Sequence, residues 1–232
     1  MNKLYRSCLS LILLSLTVAS VGCRNSASSA STNPWFAAVH VYDPDQFPAI
    51  ESSAGDINAK NRTNNTPLHE AVLAKNPDAV RFLIAKGAEV NVTDEDLRTP
   101  LHFACNDGEA DSAQHLIAGR ANVDAADEDR KTPLMLAAEG GHKQIVSALL
   151  AANAGVNLID EDGMTALMYA AENDDGDIIR LLLARGADLT LADRKGRTAL
   201  NHAINDNKIN AIRALKEKRP TTLPSQMPMP VP

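Results

Sequence analysis

The sequence predicts an all-α solenoid, built from short helix-turn-helix units that stack in one direction. Aromatic residues make up only 3% of the chain, which suits thin layers of small side chains better than one thick core. One short phrase recurs at intervals of 33 residues, as TPLHEA, TPLHFA, TPLMLA, TALMYA and TALNHA, beginning at Thr66, Thr99, Thr132, Thr165 and Thr198. A fixed period in this range is typical of stacked repeat arrays, which present a long binding surface rather than a catalytic pocket.

The composition excludes several other classes of function. The 232 residues carry a formal net charge of −6, and no basic patch appears, so nucleic acid is not an expected partner. The chain has three cysteines, which form neither a disulfide framework nor a paired zinc motif. No nucleophile motif or phosphate-binding glycine loop is present either. We therefore expect a protein that is not an enzyme and needs no cofactor or metal.

Residues 1–22 are predicted to be an export signal. Lys3 and Arg6 precede an apolar run of about 14 residues, too short to span a bilayer as a helix. The run ends in Ala-Ser-Val-Gly-Cys at residues 19–23, which resembles the lipobox of bacterial lipoproteins, with Ser20 in place of the usual Leu. This resemblance implies acylation of Cys23; ordinary signal cleavage nearby is the alternative. Removal of residues 1–22 would change the net charge from −6 to −8.

The segments that follow have distinct compositions. Residues 23–46 are assigned to a tether: the Ser- and Ala-rich stretch at 24–34 is expected to be flexible, and the pattern from Trp35 to Pro48 gives no firm prediction. The repeat array is predicted over 47–219, and residues 220–232 carry five prolines and are expected to be extended or disordered. Within the array we expect a half-cap at 47–57 and five repeats at 58–90, 91–123, 124–156, 157–189 and 190–219.

Each repeat has the signals of two helices. The Thr of the phrase can cap the first helix, and Pro after it suits the first helical position. Small residues such as Ala137 and Ala138 follow. The second helix shows apolar spacing, as in Val80, Leu83 and Ile84, because one face must pack on the next repeat.

These residues closely resemble the ankyrin repeat. The Thr-Pro-Leu-His phrases, the Gly-His turn at 141–142 and the Gly-Ala-Glu-Val-Asn ending at 87–91 all match that family's pattern, over about residues 45 to 219. The resemblance implies helix-turn-helix units joined by β-turn fingers, which recognise proteins through finger tips and first helices. For His69 and His102 it implies a structural role, namely hydrogen bonds between neighbouring loops; His142 belongs to the turn.

Several residues depart from the family pattern. Arg120 stands where glycine is usual, and we expect the turn to shift to Gly119. Leu97 and Arg130 replace finger glycines, so the second and third fingers are expected to differ in shape from the fourth and fifth. In the last repeat the polar run 216–219 is expected to provide the outer face of a terminal cap. Cys105, at a small-residue position, is expected to be packed and unreactive.

Acidic fingers are the main candidate for function. Asp-Glu-Asp occurs at 94–96, 127–129 and 160–162, and these nine carboxylates are expected to form a ladder along one edge. Calcium binding is disfavoured, because the twelfth position after Asp160 is Ala171 rather than a carboxylate. A solvated surface and a docking site for a basic partner remain. The predicted contact residues are Glu95, Asp96, Asp107, Glu128, Asp129, Glu139, Glu161, Asp162 and Glu172, with Met164 and Leu73 as apolar contacts.

Together these features predict a protein-binding scaffold anchored in the bacterial envelope. Arg24 after the cysteine favours the outer membrane, facing the periplasm, with a soluble periplasmic protein as the alternative. We expect a monomer that reaches the membrane only through its lipid. Two partner classes fit: a toxic periplasmic enzyme that the protein inhibits, or an envelope enzyme that it supports, for example in oxidative stress defence.

Overall fold

A computed structural model describes residues 33–39 and 55–217. Over these residues the chain forms helices only, apart from one isolated bridge between Ala192 and Thr198. The helices are α1 Pro34–Ala38, α2 Pro67–Leu73, α3 Pro77–Ala85, α4 Pro100–Asp107, α5 Ala110–Ala118, α6 Pro133–Glu139, α7 Lys143–Ala151, α8 Ala166–Glu172, α9 Gly176–Ala184, α10 Ala199–Asn205 and α11 Ile209–Lys216. Each of the five predicted repeats contains one consecutive pair, from α2 and α3 to α10 and α11.

The recurring Thr starts the first helix of every repeat. Its backbone is extended and the next residue is helical, with Pro at that position in α2, α4 and α6. In α6, for example, the Thr132 hydroxyl accepts a hydrogen bond from the Met135 backbone N–H. Helix starts leave several N–H groups without a partner, and this cap satisfies one of them. The phrase is thus a helix-start signal repeated five times.

Two layers of helices form the solenoid. First helices pack on first helices and second helices on second helices, in chain order. Leucines at 33-residue spacing form buried columns in both layers, among them Leu101 and Leu134 in the first and Leu116 and Leu149 in the second. Burial of such a side chain contributes about 1.5 to 3 kcal/mol. The core is therefore a continuous stack rather than one central cluster, and the structure confirms the all-α solenoid.

The second to fifth fingers, at residues 94–98, 127–131, 160–164 and 193–197, have the same backbone shape. Leu97 and Arg130 adopt φ values of 59° and 61°, close to the 78° and 74° of Gly163 and Gly196. The predicted difference between the fingers is wrong. The first residue of each finger donates its N–H to the carbonyl of the fifth, at 2.9 to 3.1 Å, and this bond fixes the turn in all four.

The turn after α5 also differs from expectation. Arg120 itself takes the left-handed conformation, with φ 65°, while Gly119 has φ −76°. The expected shift of the turn to Gly119 is therefore wrong. The Arg120 N–H bonds to the Ile117 carbonyl and the Ala121 N–H to the Leu116 carbonyl, at 3.0 Å each, and these bonds hold the same helix end that glycine closes in the first and fourth repeats.

Residues 33–39 lie within the predicted tether at 23–46, where the sequence makes no firm prediction from Trp35 onward, but they pack on the first repeat. Trp35 of α1 is buried, lies against the Phe82 ring at 6.2 Å between centroids, and donates its indole N–H to the Gly55 carbonyl at 3.1 Å. The Asn76 amide donates to the Val39 carbonyl at 3.0 Å. This short helix covers apolar surface at the N-terminal end of the stack, which explains the difference.

The predicted signal peptide, Cys23, most of the half-cap at 47–57 and the tail at 220–232 lie outside the described residues. Within the described part, no helix has the length and apolarity needed to cross a membrane.

Candidate functional site

The fingers form one continuous edge beside the first helices. The Glu128 N–H donates to the Asp96 carbonyl and the Glu161 N–H to the Asp129 carbonyl, each at 3.0 Å. One further bond of this kind, at 2.8 Å, joins the fourth and fifth fingers between the Arg194 N–H and the Asp162 carbonyl. Each bond ties one finger tip to the tip of the next. Fingers two to five are therefore joined in a row by backbone hydrogen bonds, and side chains of the first helices lie beside them.

The first Asp of each finger points inward, so the expected nine-carboxylate ladder is wrong. Asp94 and Asp160 are buried, and one oxygen of each accepts two N–H bonds from its own finger at 2.8 to 3.0 Å. Asp127 accepts one such bond from Lys131 N–H at 2.7 Å. These carboxylates replace missing backbone partners inside the turn. They stabilise the finger, and the buried Asp94 and Asp160 are not available to a partner, while Asp127 is half-buried.

In the fourth and fifth repeats, the second oxygen of this Asp joins the finger to the first helix. In the second finger, the second oxygen of Asp94 instead accepts from the Arg98 guanidinium. The Tyr169 hydroxyl of α8 donates to Asp160 at 2.6 Å. In the fifth repeat the His202 Nε2 atom lies 3.1 Å from the corresponding oxygen of Asp193, and the Nδ1 atom lies 2.7 Å from a Glu172 oxygen. Burial, and next the bond to Asp160, raise the pKa of the Tyr169 hydroxyl. In these two repeats the inward carboxylate thus links the finger to the first helix.

Hydrogen bonds to the inward carboxylate of the fifth finger lower the pKa of Asp193. Burial alone would raise its pKa, but it is outweighed by hydrogen bonds from Arg197 and from the Lys195 backbone, which hold the pKa at about 2. The Arg197 guanidinium donates to Asp193 at 2.8 Å. The fifth finger therefore keeps the inward carboxylate although its tip carries Arg194 and Lys195 in place of acids.

The outer acids of three fingers form an exposed acidic edge, comprising Glu95, Asp96, Glu128, Asp129, Glu161 and Asp162. Asp96 pairs with Arg98 at 2.8 Å. Among the residues that the structure describes, the other five have no ion pair. The acidic edge is thus mostly unneutralised, and its backbone is already fixed.

The three predicted acids on first helices are each engaged. Glu139 pairs with Lys131 at 2.9 Å. Glu172 meets His202 as described, and half-buried Asp107 accepts a hydrogen bond from the neighbouring Asn106 amide at 2.8 Å. Each of these carboxylates therefore has less free charge than the finger tips.

The two apolar predictions differ in outcome. Leu73, at the end of α2, is 37% exposed, while Met164 is only 6% exposed and belongs to the core. Met164 therefore offers little side-chain surface to a partner. It occupies the fifth position of its finger, where its side chain packs inward against the core cluster.

Two cationic side chains also lie between the fingers and the first helices, and they were not predicted from the sequence. Arg98 lies over the Phe103 ring at 4.7 Å, and the Lys131 ammonium lies over the Tyr169 ring at 4.8 Å. Both residues stand at the fifth finger position, 33 residues apart, where Arg197 also stands. Comparison of that column would have revealed them. The surface formed by the fingers and the first helices therefore combines acidic finger tips with cations that stack on aromatic rings.

The buried polar residues support structure rather than chemistry. The Nε2 atoms of His69 and His102 face carbonyls of the next finger at 3.2 and 3.3 Å, which supports the structural role assigned to them. Cys105 is fully buried, and burial raises the pKa of its thiol, so a reactive thiolate is not available. In the described part, no cluster of three His, Cys, Asp or Glu residues could hold a metal ion.

Comparison with known families agrees with this geometry. A family model described as ankyrin repeats, in three copies, matches residues 36–127, 101–193 and 152–222. The chain belongs to the ankyrin repeat family. A comparison with curated proteins found no match. Ankyrin repeat proteins are generally non-enzymatic scaffolds that bind other proteins, so the family indicates a protein-protein interaction scaffold.

Proposed function

We propose that this ankyrin repeat protein holds a basic protein partner along its acidic edge while anchored in a bacterial envelope. The observation that carries the proposal is the set of five unpaired carboxylates on three fingers whose backbones are hydrogen-bonded to one another. Such a surface loses little conformational freedom on binding, because its tips are already fixed. Charge of one sign also attracts an opposite charge over a distance and speeds association.

The envelope location rests on the lipobox resemblance at Cys23. The described structure begins at residue 33, ten residues later, and ten residues can span at most about 35 Å. A lipid on Cys23 would therefore hold the repeats close to the membrane surface. Arg24 favours the outer membrane, facing the periplasm.

Two roles are compatible with this surface. One is inhibition of a toxic enzyme in the periplasm, if a positively charged surface of that enzyme matches the acidic edge. The other is support of an envelope enzyme, as in oxidative stress defence. Neighbouring genes separate them: a toxin gene supports inhibition, and a gene for an oxidative-defence enzyme supports the second role.

Neutralising one acid on each finger should weaken capture of the partner. We expect Glu95→Gln, Glu128→Gln and Glu161→Gln together to reduce binding about tenfold at low salt, since each exposed pair contributes about 0.2 to 1 kcal/mol. The finger backbone bonds remain, because they use main-chain atoms. The measurement is affinity for the partner captured from the envelope of the native organism, at several salt concentrations.

A matched control changes the same charge elsewhere. Asp78, Asp111 and Asp177 stand in the same 33-residue register on second helices, and their replacement by Asn removes the same number of charges. We expect less than about a twofold effect from the control. Equal weakening by both variants would mean that only net charge matters, and unchanged capture by the finger variant would assign the acidic edge to solubility.

Lipid attachment has a separate test. We expect radiolabelled palmitate to enter the wild-type protein and not the Cys23→Ala variant, which should move from the membrane fraction to the soluble fraction. Cys105 serves as the control, because its buried thiol should accept no label in either protein. Label in the Cys23→Ala variant, or none in the wild type, would contradict anchoring.

A further inference from the structure

The C-terminal end of the stack exposes an apolar surface. Ile204 of α10 and Ile209 of α11 are 50% and 61% exposed, and Leu200 and Ile212 beside them are only partly buried. We call these four residues the end face. Of the polar cap expected at 216–219, the structure describes Lys216 and Glu217; both are exposed, and the Glu217 carboxylate pairs with Arg180 of the preceding repeat.

Each residue of the end face corresponds to a residue that is buried in the preceding repeat. The residues 33 positions earlier are Leu167, Ala171, Gly176 and Ile179, all buried in the stack. There, α8 and α9 pack on α10 and α11. The end face thus has the apolar pattern of an interface between repeats, but among the described residues no sixth repeat lies on it. Two large isoleucines replace Ala171 and Gly176, which enlarges the apolar surface beyond that of an internal repeat.

We propose that residues 218–232 of this chain cover the end face. This segment begins directly after the last described residue, Glu217, at the end of α11. Its fifteen residues can span at most about 50 Å, while α11 is about 12 Å long, so the segment is long enough to lie across both helices.

The composition of this segment suits an apolar surface. It contains no Asp or Glu, and its apolar side chains are Leu223, Met227, Met229 and Val231. Its five prolines have no N–H, so fewer backbone donors would be left without partners when the segment lies on isoleucine. Proline also reduces the conformational freedom lost on docking, and Met adapts to irregular surfaces.

A second copy of the chain is the competing occupant. The tail is covalently attached beside the end face, so its effective concentration is in the millimolar range, well above that of a second copy in dilute solution. The attached segment should therefore occupy the surface first, and the protein should remain a monomer.

Thiol labelling at residue 209 tests this proposal in the full chain. Ile209→Cys is introduced with the native tail and again with Leu223, Met227, Met229 and Val231 changed to Ser. Iodoacetamide labelling is then quantified at residue 209 by peptide mass spectrometry. If the tail covers the face in nine molecules of ten, labelling should be about tenfold slower with the native tail than with the Ser tail.

Ile159→Cys provides the control, since Ile159 is 43% exposed and precedes the fourth finger, far along the chain from the end face. Its labelling should be equal with both tails. Equal labelling of the thiol at position 209 with both tails would overturn the proposal. Protection at position 209 that persists with the Ser tail and is lost on dilution would also overturn it, in favour of a second copy.

Discussion

Asp160→Ala should destabilise the fourth repeat by about 3 kcal/mol or more. The substitution leaves the N–H groups of Asp162 and Met164 and the Tyr169 hydroxyl without their acceptor, and each lost buried partner costs about 1 to 3 kcal/mol. The finger should open, because its turn and its lock to α8 depend on the same carboxylate. Urea unfolding and hydrogen exchange over residues 157–189 measure the two effects.

Asp160→Asn is the matched control, and it should cost about 1 kcal/mol or less. Asn can present one oxygen to the same two N–H groups, and its amide can donate to the Tyr169 hydroxyl. The chain already uses this chemistry in the first finger, where Asn61 accepts from the N–H groups of Thr63 and Asn65 at 2.9 Å. If Ala and Asn destabilise the repeat equally, the charge of Asp160 rather than its geometry maintains the finger.

The periodic features of the fold were predictable from the sequence because they repeat. A Thr followed by Pro or Ala every 33 residues marks the helix starts, and leucines in the same register mark the core. Each signal depends on local backbone preference or on which side of a helix a residue occupies. Neither requires knowledge of how distant segments meet.

The direction of finger side chains was not predictable from charge alone. Asp94 and Asp96 are the same residue type and lie two residues apart, yet the first is buried and the second exposed. Comparison of the fingers at 33-residue spacing indicates the role of this position. The first finger has Asn61 there, and the fifth finger has Asp193 although its tip is basic. Because this position keeps a side-chain oxygen acceptor in both fingers, it stabilises the turn, whereas the charge of the finger tips differs from one finger to another.

The left-handed backbone conformation at Leu97, Arg120 and Arg130 was also not predictable from the conformational preference of these residue types. Glycine is favoured there, and a larger residue costs about 1 to 2 kcal/mol in this conformation. Hydrogen bonds across each turn impose the conformation nevertheless. The preference of single residues is thus overruled by hydrogen bonds within each turn, which the preference of one residue does not reveal.

Replacing His69 and His102 by Met should remove much of the acid sensitivity of the stack. Burial lowers the pKa of both imidazoles, although bonds to carbonyls of the next finger oppose it. Because the folded pKa lies below the unfolded value of about 6.5, the unfolded state takes up protons first as the pH falls. Stability is then lost from about pH 6.5 downward, at up to about 1.4 kcal/mol per pH unit for each histidine.

Met is the appropriate substitute because the third and fourth repeats carry Met135 and Met168 at this position, both buried. The free energy of unfolding of the double variant should depend less on pH between about 6.5 and 5, a range in which most carboxylates keep their charge. Urea titrations at each pH measure the difference between the two proteins, with Met168→Leu as a control that changes no titratable group. Parallel pH curves for wild type and double variant would mean that both histidines bind protons equally in the folded and unfolded states, and that their burial carries no pH-dependent cost.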